Sequence, residues 1–224
     1  MSAAQHAIVS CQRCARLRSY CQQVAIQKKA AHRGDVYWGK PVPGFGDPNA
    51  RLLIIGLAPA AHGANRTGRV FTGDGPGGSG DFLMRAMHDA GFASIPTARH
   101  PQDGLTLTDA FIVAAVRCAP PDNKPMPAEI ATCHVHLAAE TAALPNIKII
   151  VGLGRIAFDA AWRLLAERGI VVKPRPVFGH DAVYDASGFT VIGSYHPSRQ
   201  NTNTGKLTPP MLDAVFQRAR RLLL

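Results

Sequence analysis

The six residues RLLIIG at positions 51–56 decide how this chain folds. They form a short, partly β-branched apolar run that ends at a glycine, which predicts a strand buried on both faces. Three further runs of the same character predict core strands at residues 111–118, 147–153 and 189–195. Strands that are apolar on both faces belong to parallel sheets covered by helices. The sequence therefore predicts a sheet with four such strands at its centre.

Stretches with helical periodicity fill the intervals between these strands. They predict helices at residues 81–90, 127–143, 155–168 and 209–224. Pro127 stands in a first helical turn and Gly169 directly after a helix end, which are positions that these residues prefer. Alternating strands and helices in a chain of 224 residues predict a single domain, 1–224, with a doubly wound α/β/α architecture and a mainly parallel four-stranded sheet.

The composition narrows the class of partner. Hydrophobic residues make up 46% of the chain, which argues against intrinsic disorder. The formal net charge of +10 favours a polyanionic partner, with nucleic acid ahead of a membrane surface. No apolar stretch is long enough to span a membrane, and the first residues lack the pattern of a secretory signal. We therefore expect a monomeric protein of the cytoplasm.

The cysteines suggest a metal site. The chain has five, an odd number without an export signal, so a disulfide framework is a poor interpretation. Cys11 and Cys14 form a C-x2-C pair in the basic segment 1–35, which needs an anchor to the body, and Cys118 and Cys133 form a C-x14-C pair. Four thiolates suit either tetrahedral zinc or a [4Fe–4S] cluster, and the spacing does not separate the two. The alternative is that the second pair consists of small buried hydrophobic residues. Cys21 is left over.

Polar residues follow three of the predicted strands. In open parallel sheets, ligands bind beyond the carboxyl ends of the strands, so these residues predict one site. They are His62, Asn65, Arg66 and Asp74 after the first strand, Asn123 after the second and His196 after the fourth. Each has a structural alternative, since His196 lies in a His-Pro turn and Asp74 follows a glycine as turn residues do.

Several of these segments resemble the family 5 uracil-DNA glycosylases. The similarity lies in GLAPA at 56–60, NRTGRVFTGD at 65–74 and HPS at 196–198, with support from PGFG at 43–46 and VRCAPP at 116–121. The resemblance implies excision of deaminated bases from DNA. It also implies a [4Fe–4S] cluster on Cys11, Cys14, Cys118 and Cys133, and thereby favours iron over zinc.

The resemblance also implies a departure from other uracil-DNA glycosylases. Those enzymes resemble this loop but carry an acidic or amide residue where Ala58 stands, and many carry an asparagine where Ala114 stands. Family 5 lacks both. A water-activating acid and a uracil-reading amide are therefore missing at these positions, which suggests a roomier pocket that accepts hypoxanthine or xanthine.

Hydrolysis of an N-glycosidic bond builds positive charge on the sugar and negative charge on the leaving base, as in other glycoside hydrolyses. We expect Asp74 to orient or deprotonate the attacking water and His196 to donate a hydrogen bond to the leaving base. Asn123 is expected to help hold the water or the base. Phe71 is expected to stack on the flipped base, with ordinary core packing as the alternative.

Further residues are predicted to contact the substrate, and the reaction in a duplex requires base flipping. The predicted substrate-binding set is Gly56, Ala58, Phe71, His62, Asn65, Arg66, Ala114 and Arg199. Phosphate contacts are expected from Arg66, Arg69, Arg199 and Lys206, and a minor-groove wedge from residues 197–203. Two alternatives remain: a non-catalytic iron–sulfur or zinc protein that binds nucleic acid, and a nucleoside hydrolase, which has no need of the basic charge.

Overall fold

The computed structural model describes residues 2–224, which contain one six-stranded sheet with the spatial order β1-β3-β2-β4-β6-β5. The strands are β1 (Phe45–Gly46), β2 (Leu52–Gly56), β3 (Ala110–Ala114), β4 (Ile149–Leu153), β5 (Val183–Ala186) and β6 (Phe189–Ser194). The four central strands pair in parallel and correspond to the four predicted strands. The two edge strands, β1 and β5, run antiparallel and were not predicted.

Within residues 2–224, eight α-helices accompany the sheet. They are α1 (Ala3–Val9), α2 (Ala15–Gln27), α3 (Ala64–Thr67), α4 (Ser79–Asp89), α5 (Pro127–Ala142), α6 (Arg155–Glu167), α7 (Arg199–Asn203) and α8 (Pro209–Leu223). The four helices predicted after residue 80 are present, with ends that differ by no more than two residues. None of the helices in this part of the chain is both long and apolar enough to cross a membrane.

Alternate residues of the central strands enter two separate cores, which gives the three layers. Leu52 and Ile54 of β2 pack with residues of α4 and α8, such as Phe216. Leu53 and Ile55 pack on the opposite face with residues of α5 and α6, such as Leu164. The predicted α/β/α architecture is therefore confirmed, and the apolar character of both faces of β2 has its cause in this double burial.

The N-terminal segment is anchored beside the carboxyl ends of β2 and β3. Leu17 and Cys21 of α2 pack with Val116, Cys118 and Cys133 in a third, smaller apolar cluster. The guanidinium of Arg16 binds both carboxylate oxygens of Glu129 at 2.8 Å. This contact joins α2 to the first turn of α5, so the segment lies next to the loops that follow the strands.

Candidate active site

A cavity of about 610 Å³ lies at the carboxyl edge of the sheet. Its walls come from the loops after β2, β3 and β6, which the parallel pairing brings to one edge. Seven residues predicted from the sequence line it: Ala58, Phe71, Asp74, Ala114, Asn123, His196 and Arg199. The loop residues Leu57, Asp122 and Lys124 also line it and were not singled out.

Asp74 is held at the wall of this cavity by close packing of its backbone and side chain. A Cβ atom at Gly63 or Gly78 would overlap the Asp74 side chain, so both glycines make room for it. Arg199 Nη2 donates to the Asp74 carbonyl oxygen at 3.1 Å, which joins the loop after β2 to α7. Burial raises the pKa of Asp74, and the nearby Arg199 and Arg66 guanidiniums oppose that rise. The result is a carboxylate with increased basicity.

His196 lies two residues after the end of β6 and is half-buried. Its ring lies against the Phe71 ring, with centroids 5.8 Å apart and an interplanar angle of 28°. Asn201 Nδ2 donates to the His196 carbonyl oxygen at 2.8 Å and fixes the turn into α7. Burial lowers the pKa of His196 to about 4. The imidazole is therefore neutral at pH 7, with one nitrogen that donates and one that accepts.

Phe71 lies between the cavity and the core. The ring lines the cavity and also packs against the core of the α4–α8 layer. Its φ of 51° lies in the left-handed region, which is unusual for a residue of this size. A Cβ atom at Gly56 would lie 2.7 Å from Phe71 Cε2, so the glycine lets the ring rest on the end of β2. Gly56 therefore contacts the Phe71 ring and leaves room for it beside the cavity.

Four residues of the predicted substrate-binding set do not line the cavity: Gly56 lies behind Phe71, His62 lines a neighbouring cavity, and Asn65 and Arg66 are held by other contacts. The Asn65 side chain is fully buried, and its Nδ2 donates to the carbonyl oxygens of Ala61 and Cys21. The Arg66 guanidinium donates to the carbonyl oxygens of His62 and Gly73 and to the Asp35 carboxylate. These contacts hold the loop after β2 in shape. Neither side chain lines the cavity, so the position of each gives the predicted substrate contact no support.

Arg69 is also unavailable for the predicted phosphate contact. Its guanidinium is 8% exposed and binds both Asp103 carboxylate oxygens, at 2.8 and 2.9 Å. Arg199 and Lys206 are exposed, so of the four predicted phosphate contacts these two present charge at the surface. His62 lines a neighbouring cavity of about 340 Å³, which shares Asp74 and Asn123 with the first one.

The four cysteines predicted as ligands line a single small apolar cavity between α2, α5 and the loop after β3. Cys118 and Cys133 are buried, and the Arg117 backbone N–H donates to Cys133 Sγ at 3.2 Å. Burial raises the pKa of Cys133 to about 11. Cys21 does not line this cavity, although its buried thiol packs against Cys118; the thiol donates to the Ala119 carbonyl oxygen at 3.6 Å.

Comparisons with known proteins agree on one family. A family model for the uracil DNA glycosylase superfamily matches residues 43–220. The chain is 48% identical over 220 residues to a type-5 uracil-DNA glycosylase of Mycobacterium tuberculosis, covering 97% of this chain and 80% of that protein. It is 47% identical to the type-5 enzyme of Thermus thermophilus, covering 96% and 94%. It is 32% identical to a type-4 uracil-DNA glycosylase of Archaeoglobus fulgidus, covering 70% of each chain.

Proposed function

Because this chain belongs to the uracil-DNA glycosylase superfamily, we propose that the cavity at the carboxyl edge of its sheet is the active site of a DNA repair glycosylase. The enzyme is a hydrolase that removes uracil from DNA, as its similarity to type-5 enzymes indicates. The observation that carries the proposed site is that Asp74 and His196, from loops far apart in the chain, line the same cavity.

Asp74 supplies the carboxylate for the attack on the sugar. A water molecule attacks C1′ of the deoxyribose and passes a proton to the carboxylate, while the C1′–N bond breaks and its electron pair leaves with the base. The raised pKa makes Asp74 a stronger base than an exposed aspartate. Its negative charge also offsets the positive charge that develops on the sugar.

His196 stabilises the leaving base. In its neutral state the imidazole offers an N–H to the carbonyl oxygen on which the base accumulates negative charge. Phe71, stacked on the same imidazole, supplies an aromatic wall for the base. Asn123 adds an amide at the boundary between the two cavities, where the water is expected.

The pocket accepts bases other than uracil in this proposal. Ala58 and Ala114 have small side chains without hydrogen-bonding groups, and both line the cavity. Neither reads the uracil edge or excludes a larger ring. Deaminated purines, hypoxanthine and xanthine, are therefore proposed as additional substrates, with flipping supported by the exposed Arg199 and Lys206 and by the wedge at residues 197–203.

The cysteine cavity fits a [4Fe–4S] cluster in two respects. Its four thiols line one small space, and four thiolates are the donor set of such a cluster. Arg117 and His136 also line it. Arg117 Nη1 pairs with Glu140 Oε2 at 2.7 Å, whereas Arg117 Nε and Nη2 and His136 Nε2 are buried without a hydrogen-bond partner in the described chain. Buried donors are normally paired. A cluster of negative charge would give these donors acceptors.

Cys11, Cys14, Cys118 and Cys133 would hold this cluster, which joins the N-terminal segment to the body. When bound it supplies structural cross-linking, because hydrolysis of the glycosidic bond moves no electrons. The reaction itself depends on the cavity formed by the loops after β2, β3 and β6.

Replacing Cys14 with alanine is expected to abolish the visible absorbance of anaerobically purified protein and to lower its melting temperature by several degrees, since a cross-link between segments is lost. Iron analysis of the wild type should give about four irons per chain for a [4Fe–4S] cluster. Cys21→Ala is the comparison variant, because that thiol contacts Cys118 without lining the cysteine cavity, and this variant should keep its iron and its visible absorbance. One zinc per colourless chain would contradict the cluster.

The wild-type protein is expected to release the base from oligonucleotides that contain uracil, and more slowly from those with hypoxanthine or xanthine. The product is an abasic site, which alkali cleaves and a denaturing gel resolves. Matched oligonucleotides without a lesion and free deoxyuridine serve as controls. Binding without excision would favour a non-catalytic nucleic-acid-binding protein, and cleavage of the free nucleoside alone would favour a nucleoside hydrolase.

A further inference from the structure

The neighbouring cavity of about 340 Å³, called the side cavity here, has two unlike walls. One wall is shared with the main cavity and contains Asp74, Asp122 and Asn123. The other part of its lining, called the far wall here, contains Lys29 and His32 from the segment after α2. The side cavity is therefore lined both by the proposed catalytic carboxylate and by basic side chains.

The positive charges of the far wall affect the pKa of His62, which also lines the side cavity. The pKa of His62 is lowered by burial and then by the positive charges of Lys29, His32 and Arg66. Arg66 is fixed by its three acceptors, and its ion pair with Asp35 is 2.7 Å long. Positive groups that lower the pKa of a neighbouring histidine in this way favour the binding of an anion between them.

Hydrogen bonds orient the His62 ring toward the side cavity. The Lys29 backbone N–H donates to the Tyr37 hydroxyl oxygen at 3.5 Å, and that hydroxyl lies 3.0 Å from His62 Nδ1. When this hydroxyl donates its proton to Nδ1, the proton of a neutral His62 lies on Nε2. The imidazole then offers an N–H donor to a ligand in the cavity that it lines.

We propose that the side cavity binds a phosphodiester group of the DNA strand, adjacent to the nucleotide whose base enters the main cavity. Lys29 and His62 are its donors, beside His32, whose Nδ1 lies 3.5 Å from the Asp35 carboxylate. The proposal rests on the proposed function and deepens it. Asp74 lines both cavities, so a nucleotide with C1′ beside Asp74 can place its base in the main cavity and a neighbouring phosphate in the side cavity. A phosphate held in the side cavity would fix C1′ beside the carboxylate.

The test uses uracil oligonucleotides in which one phosphate at a time, on either side of the lesion, is a neutral methylphosphonate. We expect one position to weaken wild-type binding and slow single-turnover excision by about tenfold, as for one lost charge-assisted contact. Lys29→Met should cause a similar loss with unmodified DNA and lower the salt slope by up to about one. With the methylphosphonate at the sensitive position, Lys29→Met should reduce affinity and rate little further, because the same contact is already absent.

Lys28→Met is the matched control, since the Lys28 amine binds the Arg33 carbonyl oxygen at 3.2 Å and the residue does not line the side cavity. If the loss caused by Lys29→Met and the loss caused by the methylphosphonate were additive at every phosphate position, the proposal would be wrong. The proposal would also be wrong if inorganic phosphate inhibited the enzyme in a Lys29-dependent way while no methylphosphonate position affected binding. That result would indicate a site for free anions.

The test of the side cavity can fail or succeed independently of the test of the proposed function. Excision of uracil by the wild type tests the function, whereas the dependence of binding on the methylphosphonate position tests the side cavity. Binding is measured with a 2′-fluorinated uracil nucleotide, because the fluorine disfavours positive charge on the sugar and prevents cleavage. An inactive wild type with a sensitive phosphate would leave the side cavity supported and the proposed function refuted.

Discussion

Asp74→Asn is expected to lower the single-turnover rate of uracil excision by about 10²- to 10⁴-fold, the range for loss of a general base. The amide keeps the shape of the side chain between Gly63 and Gly78 and leaves the backbone contact to Arg199 intact. It neither accepts the proton of the attacking water nor carries the charge that offsets the sugar cation. Affinity for uracil-containing duplex should change by less than about threefold.

The pH dependence gives this prediction a second readout. Activity requires the ionised carboxylate, so the rate should rise with pH as Asp74 loses its proton. Because burial raises the pKa of Asp74, the midpoint of this rise should lie above the range of an exposed aspartate, near 3.9. The rise should be absent in Asp74→Asn, which has no proton to lose at this position.

Asp122→Asn is the matched control, because Asp122 is an exposed carboxylate that lines the same cavity. Its loss should change the rate only a few fold. If Asp122→Asn lost the activity and Asp74→Asn kept it, the water would be activated from the loop after β3 and the assignment of Asp74 would be wrong.

The central strands were predictable because a strand that is buried on both faces has a continuous apolar sequence. The predicted second strand continues to residue 118, whereas β3 ends at Ala114. Val116 and Cys118 remain apolar because they pack against α2, and apolar character does not distinguish that contact from one within a sheet. The edge strand β5 has a half-exposed, irregular burial pattern, so its sequence is not continuously apolar.

Convergence of Asp74, Asn123 and His196 was predictable from topology alone, because parallel strands bring their following loops to one edge. The directions of side chains within those loops were not. Asn65 and Arg66 belong to the single helical turn α3, which directs them toward α2 and Asp35. The far wall of the side cavity comes from a basic segment in which no spacing sets Lys29 or His32 apart from other surface charges.

His196→Ala is expected to lower the single-turnover rate for uracil by about 10²- to 10³-fold, as for loss of one preorganised donor worth about 2.7–4 kcal/mol. The defect should depend on the leaving group. With 5-fluorouracil, whose anion is more stable, less charge needs stabilisation, and the ratio of wild-type to variant rates should fall. His180→Ala is the matched control, because that ring stacks on Tyr195 without lining the main cavity.

The protonation state of His196 separates this role from that of a general acid. Since its pKa is about 4, the ring stays neutral from about pH 5 to pH 8, and no loss of activity should follow its titration in that range. A protonated histidine would instead lose activity as the pH rose through its pKa. A wild-type rate that falls between pH 6 and 8, with the fall absent in His196→Ala, would contradict the neutral donor. An equal defect for uracil and 5-fluorouracil would indicate that His196 positions the base without stabilising its charge.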